Sequence, residues 1–242
     1  MTRFFTDATI GVGGKLAISG EDFDHLRVLR PKIGETLELC NSEKRIVYTA
    51  EITDMSRADA QVTIVSKKKA DAEPGCRITL MQAVPKFDKM ELIIQKCVEL
   101  GVSEIVPVLT NRTQTHPANA AVKAHRWQKI SKEAAQQSGR DIIPAITSVL
   151  PFREALDSLS QYEHTFVANE NETEQYARAA YQRASVQNVA IFIGPEGGFD
   201  KSEIKAMRDK GVESVSLGRR ILRVETAAIT AVILFLCARE EL

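Results

Sequence analysis

Two short strand-like runs, each ending at a glycine, constrain this chain more than anything else in it. VAIFI at 189–193 runs into GPEGG at 194–198, and VESVSL at 212–217 runs into Gly218. A continuous apolar run rich in β-branched residues suits a strand buried on both faces, as in a parallel sheet. Gly194, Pro195, Glu196, Gly197 and Gly198 then leave three of five positions without a side chain, so another molecule can lie directly against main-chain N–H and C=O groups. A side chain added at Gly197 is expected to block that approach. Asp200 stands at an N-cap position, and Glu203 three residues on completes a capping-box pattern for a helix ending near Gly211. Open α/β sheets take ligands beyond the carboxyl ends of their strands, and here two such ends lie 24 residues apart (194 to 218). Plain turns after two strands are the alternative reading. Against it, Arg219, Arg220, Arg223 and Glu225 crowd the second loop with no apolar period that would assign them to a core.

The rest of the chain has two rhythms. From Thr36, TLELC, RIVYTAEIT and AQVTIV alternate with polar turns, the pattern of a β-meander or small barrel. ADAEPG at 70–75 reads as a linker. Beyond it, RITLMQAV, VSEIVPVL, Ile142–Val149 and His164–Val167 are strand-like. Helical patterns interleave over Phe87–Leu100, Lys123–Ser138, the segment after Pro151 and Glu172–Ala184. Strand and helix in alternation imply parallel βαβ units. Ala227–Ala238 is nearly all apolar but too short to cross a bilayer, so it reads as a buried helix.

Several chemistries are excluded by inspection. G-x-x-x-x-G-K-[ST], G-x-G-x-x-G after a strand, H-E-x-x-H and G-x-S-x-G are all absent. His25, His116, His125 and His164 have no ligand spacing, and Cys40, Cys76, Cys97 and Cys237 form no C-x-x-C pair; no metal is expected. The opening MTRFFTDATI lacks the apolar stretch of a signal peptide, and the expectation is a cytoplasmic protein without a membrane segment. Basic and acidic residues balance at 32 each, so any affinity for nucleic acid has to rest on local clusters. One is HLRVLR at 25–30, where His25, Arg27 and Arg30 either form the solvated face of a helix or, with Arg3, contact phosphates. In a second, around Arg126–Arg140, Trp127 shares the apolar spacing of Ile130 and Ala134; a core position and a base-stacking platform are the two readings.

Taken together, HLRVLR at 25–30, QKCVELGVSEIVP at 95–107, RWQKISKEAAQQSGR at 126–140, GPEGGF at 194–199 and LGRRILRVETA at 217–227 resemble the RsmE family of ribosomal RNA methyltransferases, within the SPOUT superfamily. The resemblance runs over essentially the whole chain. It implies an α/β fold: an N-terminal PUA-like β-barrel for RNA over residues 1–72, then a SPOUT α/β domain over 73–242 whose last strands and helix form a trefoil knot. It implies a homodimer that binds S-adenosylmethionine and methylates N3 of uridine 1498 of 16S rRNA in the small ribosomal subunit. On this pattern Gly194, Pro195, Glu196, Gly197, Gly198, Leu217, Gly218, Ile221 and Leu222 hold the cofactor. Arg223 and Glu225 are the catalytic candidates, Glu225 to take or relay the N3 proton and Arg223 to stabilise the imide oxygens or a phosphate. Arg3, His25, Arg30, Arg112 and Arg140 are carried over as RNA-side or active-site residues.

Glu225 has a second reading, as an acidic residue favouring the start of the last helix. Two departures from the family pattern stand out: Asp200 where Ser is expected after GPEGGF, and Asn111, Arg112 and Thr113 in place of an acidic-Arg-Ser run. A SPOUT enzyme for another nucleotide and a non-catalytic RNA-binding assembly factor remain the rival functions.

Overall fold

A computed structural model describes residues 2–114, 117–184 and 186–242, without the side chains of 117–121; His116 lies outside the described residues. The chain divides into two units. One runs up to Glu73 and includes Ala135–Ile142, and the other comprises Pro74–Ala134 and Ile143–Leu242. Residues 135–142 thus group with the N-terminal unit although they follow residues 74–134 in the chain.

In the first unit, β1 (Arg3–Phe5), β2 (Lys15–Ser19), β3 (Thr36–Asn41), β4 (Ile46–Met55) and β5 (Asp59–Lys69) form one sheet in the order β1-β3-β4-β5-β2. Only β1 and β3 run parallel. Alternation along the strands sends Leu37, Leu39, Tyr48, Ile52, Val62 and Ile64 into one core. Helix α1 (Gly20–Val28) adds Phe23 and Leu26, three residues apart and so on one face. His25 is half-buried beside that face, with its ring edge-on to Phe4 at 5.7 Å. Arg27 and Arg30 are exposed.

Arg3 and Arg140 are not on that surface. Arg3 is 5% exposed and donates to Glu38 at 2.7 Å and to Asp141 at 2.6 Å. Arg140 is 3% exposed and pairs with Glu73, whose carboxylate also accepts the backbone N–H of Asp141. Asp141 closes the group by accepting the N–H of Ala72 at 2.6 Å. The two arginines expected to face RNA are therefore internal ties of the first unit. A guanidinium this deep is stable only beside a carboxylate.

The second unit is a parallel sheet in the order β12-β10-β11-β6-β7-β8. Its strands are β6 (Arg77–Ala83), β7 (Glu104–Leu109), β8 (Ala145–Ile146), β10 (His164–Ala168), β11 (Asn188–Ile193) and β12 (Glu213–Val215), with β9 (Leu150–Pro151) pairing with β7. The helices are α2 (Lys89–Leu100), α3 (Pro117–Ser138), α4 (Phe152–Asp157), α5 (Ala177–Arg183), α6 (Lys201–Asp209) and α7 (Val224–Ala238). Helix α7 packs on α2 and α5 and buries Ala228, Ala231, Val232, Phe235 and Leu236. Trp127 is 1% exposed, which makes it a core residue.

Two segments depart from the sequence expectation. Ile142–Val149 yields only β8 as a strand. The helix expected from Glu172 starts at Ala177, because Glu172 accepts the N–H groups of Glu174 and Gln175 in a turn and Tyr176 bridges to Ser216. Strand β10 lies between β11 and β12, and all three are parallel. The chain segments that follow Ala168, Ile193 and Val215 consequently emerge at one edge of the sheet.

Burial raises the Glu38 carboxyl, but the hydrogen bonds and charge of Arg3 outweigh it, so the group sits below its ordinary 4.5. Its contribution to stability is complete above 4.5 and is lost as pH falls through the lower folded value. Arg3→Met is expected to cost roughly 3–5 kcal/mol, since it strands the buried Asp141 carboxylate and leaves the half-buried Glu38 with Lys68 alone, and to shrink this acid limb. Urea denaturation across pH 3–7 checks both, and a loss under about 1 kcal/mol would show that the ties are peripheral.

Candidate active site

The three emergent segments enclose a cavity of 230 Å³. Gly194, Pro195, Glu196, Gly197 and Gly198 form one wall, and Leu217, Gly218, Ile221 and Leu222 another. All nine residues assigned to a cofactor from the sequence are thus in the same cleft. The third wall, Ala168, Asn169 and Glu170, was missed. Its signal was present, since apolar HTFVA breaks into NENETE just as the other strands break into glycine.

Bare main chain at the cleft has a conformational reason at two positions. Gly218 has φ +127° and nothing within 4 Å of where a Cβ would stand, so its backbone faces open space. Gly198 has φ +66°, in the left-handed region that disfavours any other residue. Gly197 behaves otherwise than expected. A Cβ there would meet the aliphatic stem of Arg112 at 3.3 Å, and Arg112 does not line the cavity. Bulk at 197 would act on the loop through Arg112 rather than by filling the cleft.

Arg112 itself donates to the carbonyl of Gly197 at 2.6 Å. Its neighbour Asn111 donates its backbone N–H to Glu203 at 2.7 Å and its side-chain amide to Asp200 at 2.6 Å. Asp200 and Glu203 form the expected capping box on α6. Hydrogen bonds from the Ser202 hydroxyl, the Asn111 amide and the Glu203 backbone hold the Asp200 carboxyl well below the usual carboxylate range. The segment 111–112 and the α6 N-terminus therefore clamp the glycine loop from outside the cleft, and Arg112 is placed as a loop tie rather than a free surface cation.

At the other end of that loop, Glu196 accepts the Lys86 N–H at 3.0 Å and the Lys89 ammonium at 3.2 Å. Burial pushes its carboxyl up, but these partners and its own backbone N–H bring it below the ordinary value. Lys89 also lies 3.7 Å from Glu225, within ion-pair range but too long for a hydrogen bond. The same Glu225 oxygen is buried with no hydrogen-bond partner. Lys89, another residue the sequence reading missed, thus joins the loop carboxylate to that of α7.

Arg223 is the exposed N-cap residue of α7. Neither Arg223 nor Glu225 lines the cavity, although Leu222, Val224 and Ala227 beside them do. Arg220 lines it and Ile221 is 88% exposed at it. His25 and Arg30 belong to the first unit. Among the described residues no cluster of His, Cys, Asp or Glu is arranged to hold a metal ion, and no helix is long and apolar enough to cross a membrane.

Comparison with known proteins fits this geometry. Residues 72–236 match the RNA methyltransferase domain family, and residues 18–65 match the RNA methyltransferase PUA domain. Ribosomal RNA small subunit methyltransferase E from Mesomycoplasma hyopneumoniae is 36% identical over 85% of this chain and 87% of its own length. The protein of that name from Bacillus subtilis is 29% identical over 96% of this chain and 94% of its own length. The crystal structure of a ribosomal RNA small subunit methyltransferase E from Neisseria gonorrhoeae bound to S-adenosyl methionine is 32% identical. It superposes with a TM-score of 0.88 over 98% of this chain and 97% of the other. With a PUA-like unit before a parallel-sheet unit, and with likeness along its whole length, the chain belongs to the RsmE family of RNA methyltransferases.

Proposed function

We propose that this protein, as a cytoplasmic homodimer, transfers a methyl group from S-adenosylmethionine to N3 of uridine 1498 of 16S rRNA in the small ribosomal subunit. Residues 1–72 would grip the RNA through His25 and Arg30, and residues 73–242 would carry out the transfer. The observation that carries this reading is the cleft of bare main chain at three adjacent strand ends. The residues present fit the cofactor. Gly194, Gly198 and Gly218 let an adenine edge approach the main chain closely, while Leu217, Ile221 and Leu222 offer apolar cover. The trefoil threading of the last strands and helix is part of the same proposal.

When bound, S-adenosylmethionine supplies a methyl group on a positively charged sulfur. The residues of this chain have three tasks: to hold the uridine base in place, to exclude water and to remove the N3 proton. Glu225 is the carboxylate for the proton, because one of its oxygens is buried with no hydrogen-bond partner. Lys89 holds a positive charge beside it. Arg223, exposed at the α7 N-cap, is the cation for the imide oxygens or a phosphate. The target base has to leave its stack to reach such a cleft.

Support for the homodimer comes from α7, where Ile229 and Ile233, one turn apart, stay partly exposed on a helix that is otherwise apolar. Ile221 at 88% and Leu92 at 43% exposure add to the uncovered apolar surface of this unit.

Small subunits from a strain lacking this gene, incubated with the protein and S-adenosylmethionine, should gain one methyl at N3 of uridine 1498. A methyl mapped by mass spectrometry to any other nucleotide would overturn the assignment. Glu225→Gln should keep cofactor affinity within about twofold, measured by calorimetry, while methyl transfer falls on the order of 10²-fold; undiminished transfer would return Glu225 to a helix-dipole role. Sedimentation should give twice the 26.8 kDa chain mass. Ile233→Glu should reduce it to one chain, and an unchanged dimer would move the interface off α7.

A further inference from the structure

Two carboxylates line the cleft, Glu170 and Glu196, and Glu196 already has partners. Glu196 is bound by Lys86 N–H and Lys89, and Glu225 lies beside Lys89. Glu170 lines the cavity and has no hydrogen bond or ion pair among the described residues. Its position is built rather than incidental. Asn169 donates its backbone N–H to Val215 at 3.0 Å, donates its side-chain amide to Ser214 at 3.1 Å and accepts the Asn171 N–H at 3.1 Å. Glu172 turns its carboxylate back onto the N–H groups of Glu174 and Gln175. The loop is therefore ordered by the residues on both sides of Glu170, leaving the Glu170 carboxylate for something else.

Gly198 shows the same design from the opposite wall. A Cβ there would meet the Glu170 carboxylate, so the glycine loop and the Glu170 side chain face each other across the cavity, while the φ of +66° is what calls for glycine at 198.

We infer that Glu170 is the acceptor for the vicinal ribose hydroxyls of the nucleoside held in this cleft, and so a specificity-determining residue. This rests on the cofactor reading above. The chemistry selects the diol from the groups such a ligand presents. Main-chain N–H groups suit the acceptor atoms of an adenine or a carboxylate, whereas two adjacent hydroxyls need an acceptor with two oxygens side by side. A carboxylate at the sulfonium would favour the charged ground state over a transition state in which that charge disappears, and would slow transfer.

Binding alone tests the inference. By calorimetry the wild-type protein should bind S-adenosylhomocysteine about tenfold or more tightly than its 2′-deoxy analogue, the scale of one hydrogen bond to a charged group. Glu170→Ala should weaken S-adenosylhomocysteine to the level of the deoxy compound and abolish the discrimination, while Glu170→Gln, keeping one acceptor oxygen, should fall between. Equal binding of the two ligands by the wild type, or discrimination that survives in Glu170→Ala, overturns the role of Glu170 alone. An equal loss of affinity for both ligands in Glu170→Ala overturns it too, in favour of a contact to the amino-acid end. If the wild type binds neither compound, the cofactor reading falls with it. Glu170 is exposed, so circular dichroism of the variants should match the wild type.

Discussion

Bare main chain can recognise a ligand only if it is held still, and glycine is the residue that resists this most. A five-residue loop with three glycines loses much conformational entropy on ordering. Here the cost is offset from outside the cleft. Arg112 binds the Gly197 carbonyl, the Asp200–Glu203 box fixes the start of α6 immediately after the loop, and Asn111 ties into both carboxylates of that box. On the inner side, Glu196 is anchored to Lys86 and Lys89. Every one of these bonds runs from a side chain or a neighbouring backbone to the loop's frame. Within the loop the Gly198 N–H is donated to the Pro195 carbonyl, so the turn is closed before a ligand arrives, which is the arrangement preorganised recognition requires.

The same clamp explains the two departures from the family pattern. Asp200 replaces an expected Ser, and Asn111 replaces an expected acidic residue. In the structure the two are partners, with the Asn111 amide donating to the Asp200 carboxylate at 2.6 Å. An acidic residue at 111 would set like charges against each other at that distance, whereas an acidic residue facing a serine hydroxyl would bond in the opposite sense, the hydroxyl now donating. An acidic residue at 111 opposite Asp200 would therefore break the link between the segment at 111 and the cap of α6, and Asn111 supplies the donor that Asp200 needs.

What could be read from the sequence followed from periodicity and covalent constraint. Strand-like runs ending at glycine located β11, β12 and both cofactor-side loops, and Asp200 with Glu203 announced α6. What could not be read depended on which charged side chains end up inside. Arg3 and Arg140 carry the same formal charge as Arg30, and nothing local distinguishes them. Burial beside Glu38, Asp141 and Glu73 arises from contacts 35 to 138 residues apart. The third wall of the cleft escaped for a related reason. NENETE at 169–174 looks like a solvated acidic stretch, and only the placing of β10 between β11 and β12 brings Glu170 to the cavity. Glu172 likewise looks like a helix residue until its carboxylate is seen to close a turn.

Burial of charge also removes the tension between a net charge of zero and an RNA substrate. Overall neutrality matters to a polyanion only if the opposing charges are equally displayed, because screening limits each exposed charge to a range of about 10 Å. Around this cleft they are not. Of the acidic groups here, Glu196 and Glu225 are met by Lys89 and Glu203 by backbone N–H donors, which leaves Glu170, among the described residues, as the unpaired carboxylate of the lining. Arg219, Arg220 and Arg223, on the segment leading into α7, are exposed. A chain with equal numbers of acids and bases can thus present a locally cationic edge where a phosphate backbone would pass, and the ion pairs that stabilise the fold are what make that edge cationic.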